Sequence, residues 1–359
     1  MKSTKTMRFI GNKEKLVDKI HQIMLEKKIK GNSFFDFFSG TTNVGKFFKK
    51  KGFKIYSSDL LYFSYVLQQA YIVNNTKLEF KNLLSSLEIK SRFLFTTPIT
   101  EVIEYLNNLK PIEGFIYKNY TPSGTKELKQ PRMYYSDHNG KMIDAIRLQI
   151  EKWWNENLLN KQEYYVLLAC LIETIPFYAN VSGVYAAFYK KWDPRAVKEI
   201  VLRPIKFILN NTENFAYNVN STELLDIEAD IYYLDPPYNQ RQYAPNYHIL
   251  ETVAKYDNPK IKGITGLRPY DKQKSQFCNS KTALQELDKI ATKGQYKTLI
   301  LSYNSEGIMP QKSIIETLEK HGNIELVEIK YPRFKSNNNG QSKTKKYINE
   351  QLYILKRHE

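Results

Sequence analysis

"NSFFDFFSGTTNVGKFFKKKGFKIYSSDL", from Asn32 to Leu60, sets the architecture. "NSFFDFFSG" is a short apolar run closing on Ser39 and Gly40, the pattern of a buried strand followed by a tight turn. Val44, Phe47 and Phe48 then recur at helical spacing, with Gly52 placed to stop the helix. "KIYSSDL" (54–60) reads as a second strand ending on Asp59, and "LYFSYVLQQAYIVNN" (61–75) resumes the helical pattern. Strand, helix, strand, helix in this rhythm predicts a parallel α/β sheet.

Working outward, the same pattern returns after residue 228. "ADIYYLD" (229–235), "YKTLILSY" (296–303) and "IELVEIKY" (324–331) read as strands, and "NYHILETVAKY" as a helix with Ile249, Leu250, Val253 and Ala254 on one face. "INEQLYILK" (348–356) is expected to close the sheet as an edge strand. Between about 85 and 160 the rhythm breaks. "GFIYKNYTPSGTKELKQPRMYYSDHNGK" is polar, aromatic and turn-rich, and its Asn139-Gly140 pair could close a hairpin. "MIDAIRLQIEKWW" after it looks like an amphipathic helix. The expected organisation is an α/β domain of residues 1–84 and 161–359 carrying an inserted region, 85–160. "PRFKSNNNGQSKTKKYIN" (332–349) reads as a basic, Asn-rich loop.

The chain has 359 residues, 54 Lys and Arg against 37 Asp and Glu, and a formal charge of +17. Such an excess attracts polyanions, and its 27 tyrosines suit stacking on bases. No stretch approaches the roughly 20 apolar residues of a membrane helix. "MKSTKTMRFIGNKEKL" has neither the apolar core nor the cleavage site of a secretory signal. Cys170 and Cys278 sit far from any metal-ligand spacing, so a reduced, cytoplasmic setting without a metal is expected.

In a doubly wound sheet, ligands bind beyond the carboxyl ends of the strands. Three such ends carry suggestive groups. Gly40 permits close backbone approach. Asp59, about twenty residues on, can accept hydrogen bonds from ribose hydroxyls; the pair fits an adenosine-type cofactor. The third end is Asp235-Pro236-Pro237-Tyr238. The exocyclic nitrogen of adenine has a delocalised lone pair and is a poor nucleophile. Hydrogen bonds from it to a carboxylate and to a carbonyl oxygen pull it towards tetrahedral character and localise that lone pair. Asp235 offers the carboxylate; Pro236 offers a carbonyl and has no N–H to compete. Tyr238 offers a ring face for an extruded base.

These motifs, in this order over nearly the full length, resemble the Dam-like, D12 class of DNA adenine-N6 methyltransferases, including those of restriction–modification systems. "MRFIGNKEKL" (7–16) is similar to the family's N-terminal motif, which implies that Phe9 and Lys13 flank the cofactor. "DFFSGTTNVG" (36–45) resembles the turn that holds the methionine end, placing Asp36, Phe38 and Gly40 there. The family often has a second glycine two residues beyond the first; here it is Thr42. Asp59 matches the ribose acid, and Ser221 or a neighbour falls near the cofactor's adenine. Asp235, Pro236 and Tyr238 match the catalytic motif. "DPPYNQRQYAPNYHILETVA" and "NVSGVYAAFYKKW" look more like a restriction-type subgroup than Dam itself.

The resemblance implies a Rossmann-like S-adenosylmethionine-dependent methyltransferase sheet with an inserted target-recognition region. It implies duplex DNA as substrate, no metal and no membrane, and leaves room for a separate cognate restriction endonuclease. Lys118, Lys126, Lys129 and Arg132 in the insertion, and Arg241 after the catalytic motif, are the candidates for DNA contacts. His248 reads as a helix-face or capping residue, and Trp153 and Trp154 as core or interface. An RNA adenine-N6 methyltransferase and a non-catalytic nucleic-acid-binding protein with a methylase fold are the alternatives; intact Asp235, Gly40 and Asp59 argue against the second.

Overall fold

The computed structural model describes residues 7, 9–87, 97–332 and 347–357. The chain divides into two compact units. One, of residues 12–68, 210–243 and 271–359, carries the whole sheet; the other, of residues 1–11, 69–209 and 244–270, is largely helical. The second unit is wider than the 85–160 insertion expected from composition. It gathers the helix Lys161–Thr174 and the segment after the Asp-Pro-Pro-Tyr motif, which read in sequence like parts of an α/β domain. Among the described residues no helix is long and apolar enough to cross a membrane.

The sheet has seven strands: β1 (Ser33–Asp36), β2 (Lys54–Ser58), β3 (Phe215–Tyr217), β4 (Glu228–Leu234), β5 (Gln295–Asn304), β6 (Gly322–Pro332) and β7 (Tyr347–Arg357). Their order is β3-β2-β1-β4-β5-β7-β6. The first five are parallel, and β7 runs antiparallel to both β5 and β6. The α/β reading therefore holds, with one correction. The last strand is not at the edge: β7 is threaded between β5 and β6, and β6 forms the border. Glu350 through Leu355 are buried without a break, as a strand flanked on both sides requires. β3, only three residues long, is too short to announce itself by periodicity.

Alternation across the pleat builds two cores. On one face Phe34 stacks on Phe48 of the helix Asn43–Lys50 at 4.1 Å and on Tyr233 at 5.7 Å. On the other, Phe35, Tyr232, Leu299 and Leu355 meet Leu287 and Ile290 of the helix Ala283–Lys293. The order reverses its winding between β1 and β4, which makes the carboxyl ends of those two strands the topological switch point.

In the helical unit, Lys161–Thr174 is buried nearly all round and starts at a reciprocal cap. Glu163 N donates to Asn160 Oδ1 (2.9 Å), and Asn160 N donates to Glu163 Oε2 (3.0 Å). Asp144 accepts from Ile116 N (2.9 Å), Tyr117 N (2.8 Å) and the Tyr256 hydroxyl (2.6 Å), pinning the start of the helix Phe115–Tyr120. The hairpin expected at Asn139-Gly140 is instead the first turn of the helix Asp137–Asn155, capped by Ser136. Glycine is required there because a Cβ at 140 would lie 2.3 Å from Thr121 Cγ2. A hairpin does form later, at 262–267. Lys262 and Leu267 exchange backbone hydrogen bonds of 2.9 and 2.8 Å, and Gly263 (φ +71°) and Gly266 (φ +67°) make the reversal.

Candidate active site

Asp36 ends β1 and pairs in register with Tyr233, so Asp235 emerges two residues later at the neighbouring tip. This is the switch point, and the two carboxylates sense each other. Burial pushes Asp36 up to about 7, with the charge of Asp235 the next contribution. A backbone donor, Gly45 N at 3.2 Å, holds Asp36 Oδ2. Beyond it the chain turns sharply: Gly40 has φ +49° and Thr42 φ +61°. Thr42 thus takes the left-handed conformation in which glycine is unstrained, at the position where the resembling motif often has glycine.

Asp59, at the tip of β2, fixes this turn. Its Oδ2 accepts from Gly40 N and its Oδ1 from Leu61 N, both at 2.8 Å. Ser221 is buried, and its hydroxyl donates to the Phe37 carbonyl and lies 2.7 Å from Ser58 Oγ. Phe38 is half-buried and meets Phe277 edge-on at 5.3 Å.

At the tip of β4, Asp235 keeps 18% of its side chain exposed. Lys13 Nζ lies 3.2 Å from Asp235 Oδ1 and also bonds Glu350 Oε1. Burial pushes Asp235 up to about 7; Lys13 pulls against that shift and Glu350 adds to it. Burial alone would lower the Lys13 ammonium, but the two carboxylates raise it above its ordinary value. Pro236 and Pro237 are buried, while Tyr238 is half-buried on the sheet core, its carbonyl accepting from Ile308 N at 2.9 Å.

Of the expected site residues, the structure gathers Lys13, Asp36, Phe38, Gly40, Asp59, Ser221, Asp235, Pro236 and Tyr238 in the sheet unit. Phe9 belongs to the helical unit, where it stacks on Tyr247 at 4.4 Å. Lys118, Lys126 and Lys129 are exposed there, and Arg241 is exposed in the sheet unit. Arg132 differs from its expected role. It is buried, and its guanidinium donates to the carbonyls of Ile264 (2.9 Å), Gly263 (2.9 Å) and Asn119 (3.0 Å), bracing the 262–267 hairpin from within. Tyr120 adds a 2.8 Å bond to Gly266 O. His248 is buried at the start of its helix, with Nε2 3.0 Å from Tyr185 O. Trp153 is core, and Trp154 is partly exposed against Tyr164.

Glu350 and Ser302 were not anticipated. The available signal was an acid set inside an apolar strand, because a charge is rarely buried unpaired.

The donor chemistry at the switch point suits an adenosyl sulfonium ligand. Two carboxylates, Asp36 and Asp59, flank a left-handed glycine turn, and such a ligand brings an ammonium, a sulfonium and ribose hydroxyls to meet acceptors.

Comparison with known proteins identifies the family. The family model described as D12 class N6 adenine-specific DNA methyltransferase matches residues 9–316. The Type II methyltransferase M.FokI of Planomicrobium okeanokoites is 39% identical over 360 residues, 98% of this chain and 53% of that protein. Modification methylase StsI of Streptococcus sanguinis is 37% identical over 98% of this chain and 52% of its own length. The chain thus spans about half the length of these two relatives. The Type II methyltransferase M.NlaIII of Neisseria lactamica is 35% identical over 92% of this chain and 93% of its own length. The switch-point carboxylates, the ordered motifs and these matches lead to one assignment: the chain belongs to the D12 class of N6 adenine-specific DNA methyltransferases.

Proposed function

We propose that this chain transfers a methyl group from S-adenosylmethionine to N6 of adenine at a specific duplex DNA sequence. The observation that carries the reading is Asp235, a partly exposed carboxylate at the tip of β4, beside Asp36 at the switch point. When bound, S-adenosylmethionine supplies an already activated methyl group. The residues of the sheet unit suited to hold it are Lys13, Asp36, Phe38, Gly40 and Asp59. The Ser221 hydroxyl is engaged with Phe37, so contact to the cofactor's adenine falls to the backbone or a neighbour such as Thr222.

Asp235 Oδ2 and the Pro236 carbonyl accept from the target amino group and localise its lone pair, while Tyr238 stacks on the extruded base. Alignment and exclusion of water do most of the work. The methylated nitrogen carries one proton too many, and a carboxylate raised to about 7 is suited to receive it. Lys118, Lys126, Lys129 and Arg241 are suited to phosphate or base contacts, and target recognition is assigned to the helical unit within and around 85–160. The relatives' names, Type II methyltransferase and modification methylase, support a role in DNA modification; protection of host DNA in the cytoplasm, beside a cognate endonuclease, is the setting this reading implies.

The test is transfer of a tritiated methyl group to duplex DNA and, in parallel, to RNA, with wild type and Asp235→Ala. Label on adenine N6 in DNA is expected, lost in Asp235→Ala with S-adenosylmethionine binding kept. Transfer to RNA alone, or full activity in Asp235→Ala, overturns it.

A further inference from the structure

Glu350 lies on β7 opposite Asn304 of β5 and Ile329 of β6, so it sits inside the sheet and is buried. A carboxylate there must be partnered. Its partners are the Lys13 ammonium and the Ser302 hydroxyl, which donates to Glu350 Oε1 at 2.6 Å. Lys13 in turn reaches Asp235 Oδ1 at 3.2 Å. One cation is therefore held between two carboxylates, one at the tip of β4 and one on β7. A single carboxylate would neutralise Lys13; the second has to do something else.

On the reading that Asp235 binds the target amino group, we propose that Glu350 is a positioning residue for methyl transfer. Anchored by Ser302, it draws Lys13 toward β7, so that the ammonium steadies Asp235 through Oδ1 while Oδ2 keeps its charge for the adenine amino group. Without that pull Lys13 would settle fully on Asp235 and weaken it as an acceptor. The charged and titratable groups facing Asp235 are Lys13 ahead of the helix Val17–Glu26, Glu350 on β7, Asp36 on β1 and the Tyr233 hydroxyl on β4. Only Lys13 among them is a cation. Removing the Glu350 charge leaves it unopposed, which lowers the pH at which Asp235 takes up a proton.

The experiment is the pH dependence of kcat for tritiated methyl transfer to duplex DNA, from about pH 5 to pH 9, with binding of S-adenosylmethionine measured separately. Glu350→Gln keeps an oxygen for Ser302 and removes the charge. Its kcat is expected to fall on the order of ten- to a hundredfold. The acid limb should move to lower pH, with S-adenosylmethionine affinity within about twofold of wild type. Ser302→Ala is expected to lower kcat severalfold, again with affinity kept. An unshifted acid limb in Glu350→Gln overturns the proposal, as does a fall in kcat matched by an equal fall in cofactor affinity. If Glu350→Gln does not fold, Ser302→Ala decides, and an unchanged kcat overturns the proposal. A wild-type chain that leaves adenine unmodified sinks the proposed function itself; an active wild type with an indifferent Glu350→Gln sinks only this inference.

Discussion

Replacing Arg132 with alanine tells a brace from a phosphate contact. The guanidinium is buried and donates to three backbone carbonyls, two of them in the 262–267 hairpin. Hydrogen bonds to a charged group contribute about 1.5–3 kcal/mol each. Three together cannot be summed at face value, because Gly263 and Ile264 are exposed and their carbonyls can recover water. A loss of about 2–4 kcal/mol is expected, which lowers the unfolding temperature by roughly 5–15 °C for a unit of this size. The hairpin itself should loosen first, since its tip, Ile264, is 66% exposed and has little packing of its own. Calorimetry gives the stability, and salt-dependent DNA binding gives the comparison. Lys126→Ala and Lys129→Ala, at exposed positions, should leave stability within about 0.5 kcal/mol. Each that meets a phosphate should reduce the slope of log affinity against log salt by about 0.9. An Arg132→Ala protein that unfolds at the wild-type temperature but shows that reduced slope would refute the bracing argument.

Two further outcomes follow from the packing and the charges. Gly140→Ala would normally strengthen a helix by about 1 kcal/mol. Here the added Cβ meets Thr121 Cγ2 at 2.3 Å, so urea denaturation should show a loss of about 1–3 kcal/mol, and a gain would contradict the close helix contact. Asp36 is raised to about 7 when folded, so its charged form is the disfavoured one. That penalty is absent below about pH 4, grows as pH rises, and is complete above about pH 7. Asp36→Asn should therefore gain on wild type between pH 5 and pH 8, by up to about 4 kcal/mol; parallel stability curves in urea titrations would count against a buried, charge-crowded carboxylate.

The residues that carried local signals were readable in the chain. β1, β2, β4 and β5 announce themselves as apolar runs closed by turn residues, and Gly52, with φ +91°, ends its helix as expected. The strand-tip rule points to Asp59 and Asp235, whereas Asp36 is picked out only by the family resemblance; all three stand at the ends of β1, β2 and β4. What failed was whatever depended on distant partners. Asn139-Gly140 has the local chemistry of a turn, but Ser136 caps a helix across it and Thr121 forbids a larger residue at 140. Arg132 looks like any basic loop residue until the carbonyls of a segment 131 residues away close around it. Glu350 is 337 residues from Lys13, a separation at which no motif spacing can speak. Coming last among the strands suggests the border for β7, whereas the unbroken burial of Leu352 to Leu355 belongs to an inner position.

The threading of β7 imposes a timetable on synthesis. The ribosome adds roughly 5–20 residues per second, so the lysine emerges on the order of twenty seconds to a minute before the glutamate that will oppose it. Until then β5 offers an unmated flank and β6 has nothing to dock against, because the strand that joins them has yet to be made. A nascent chain in this state presents sticky backbone to its neighbours on the polysome. Slow translation or scarce chaperones should therefore reduce yield in this protein more than in one whose final strand merely caps a finished sheet.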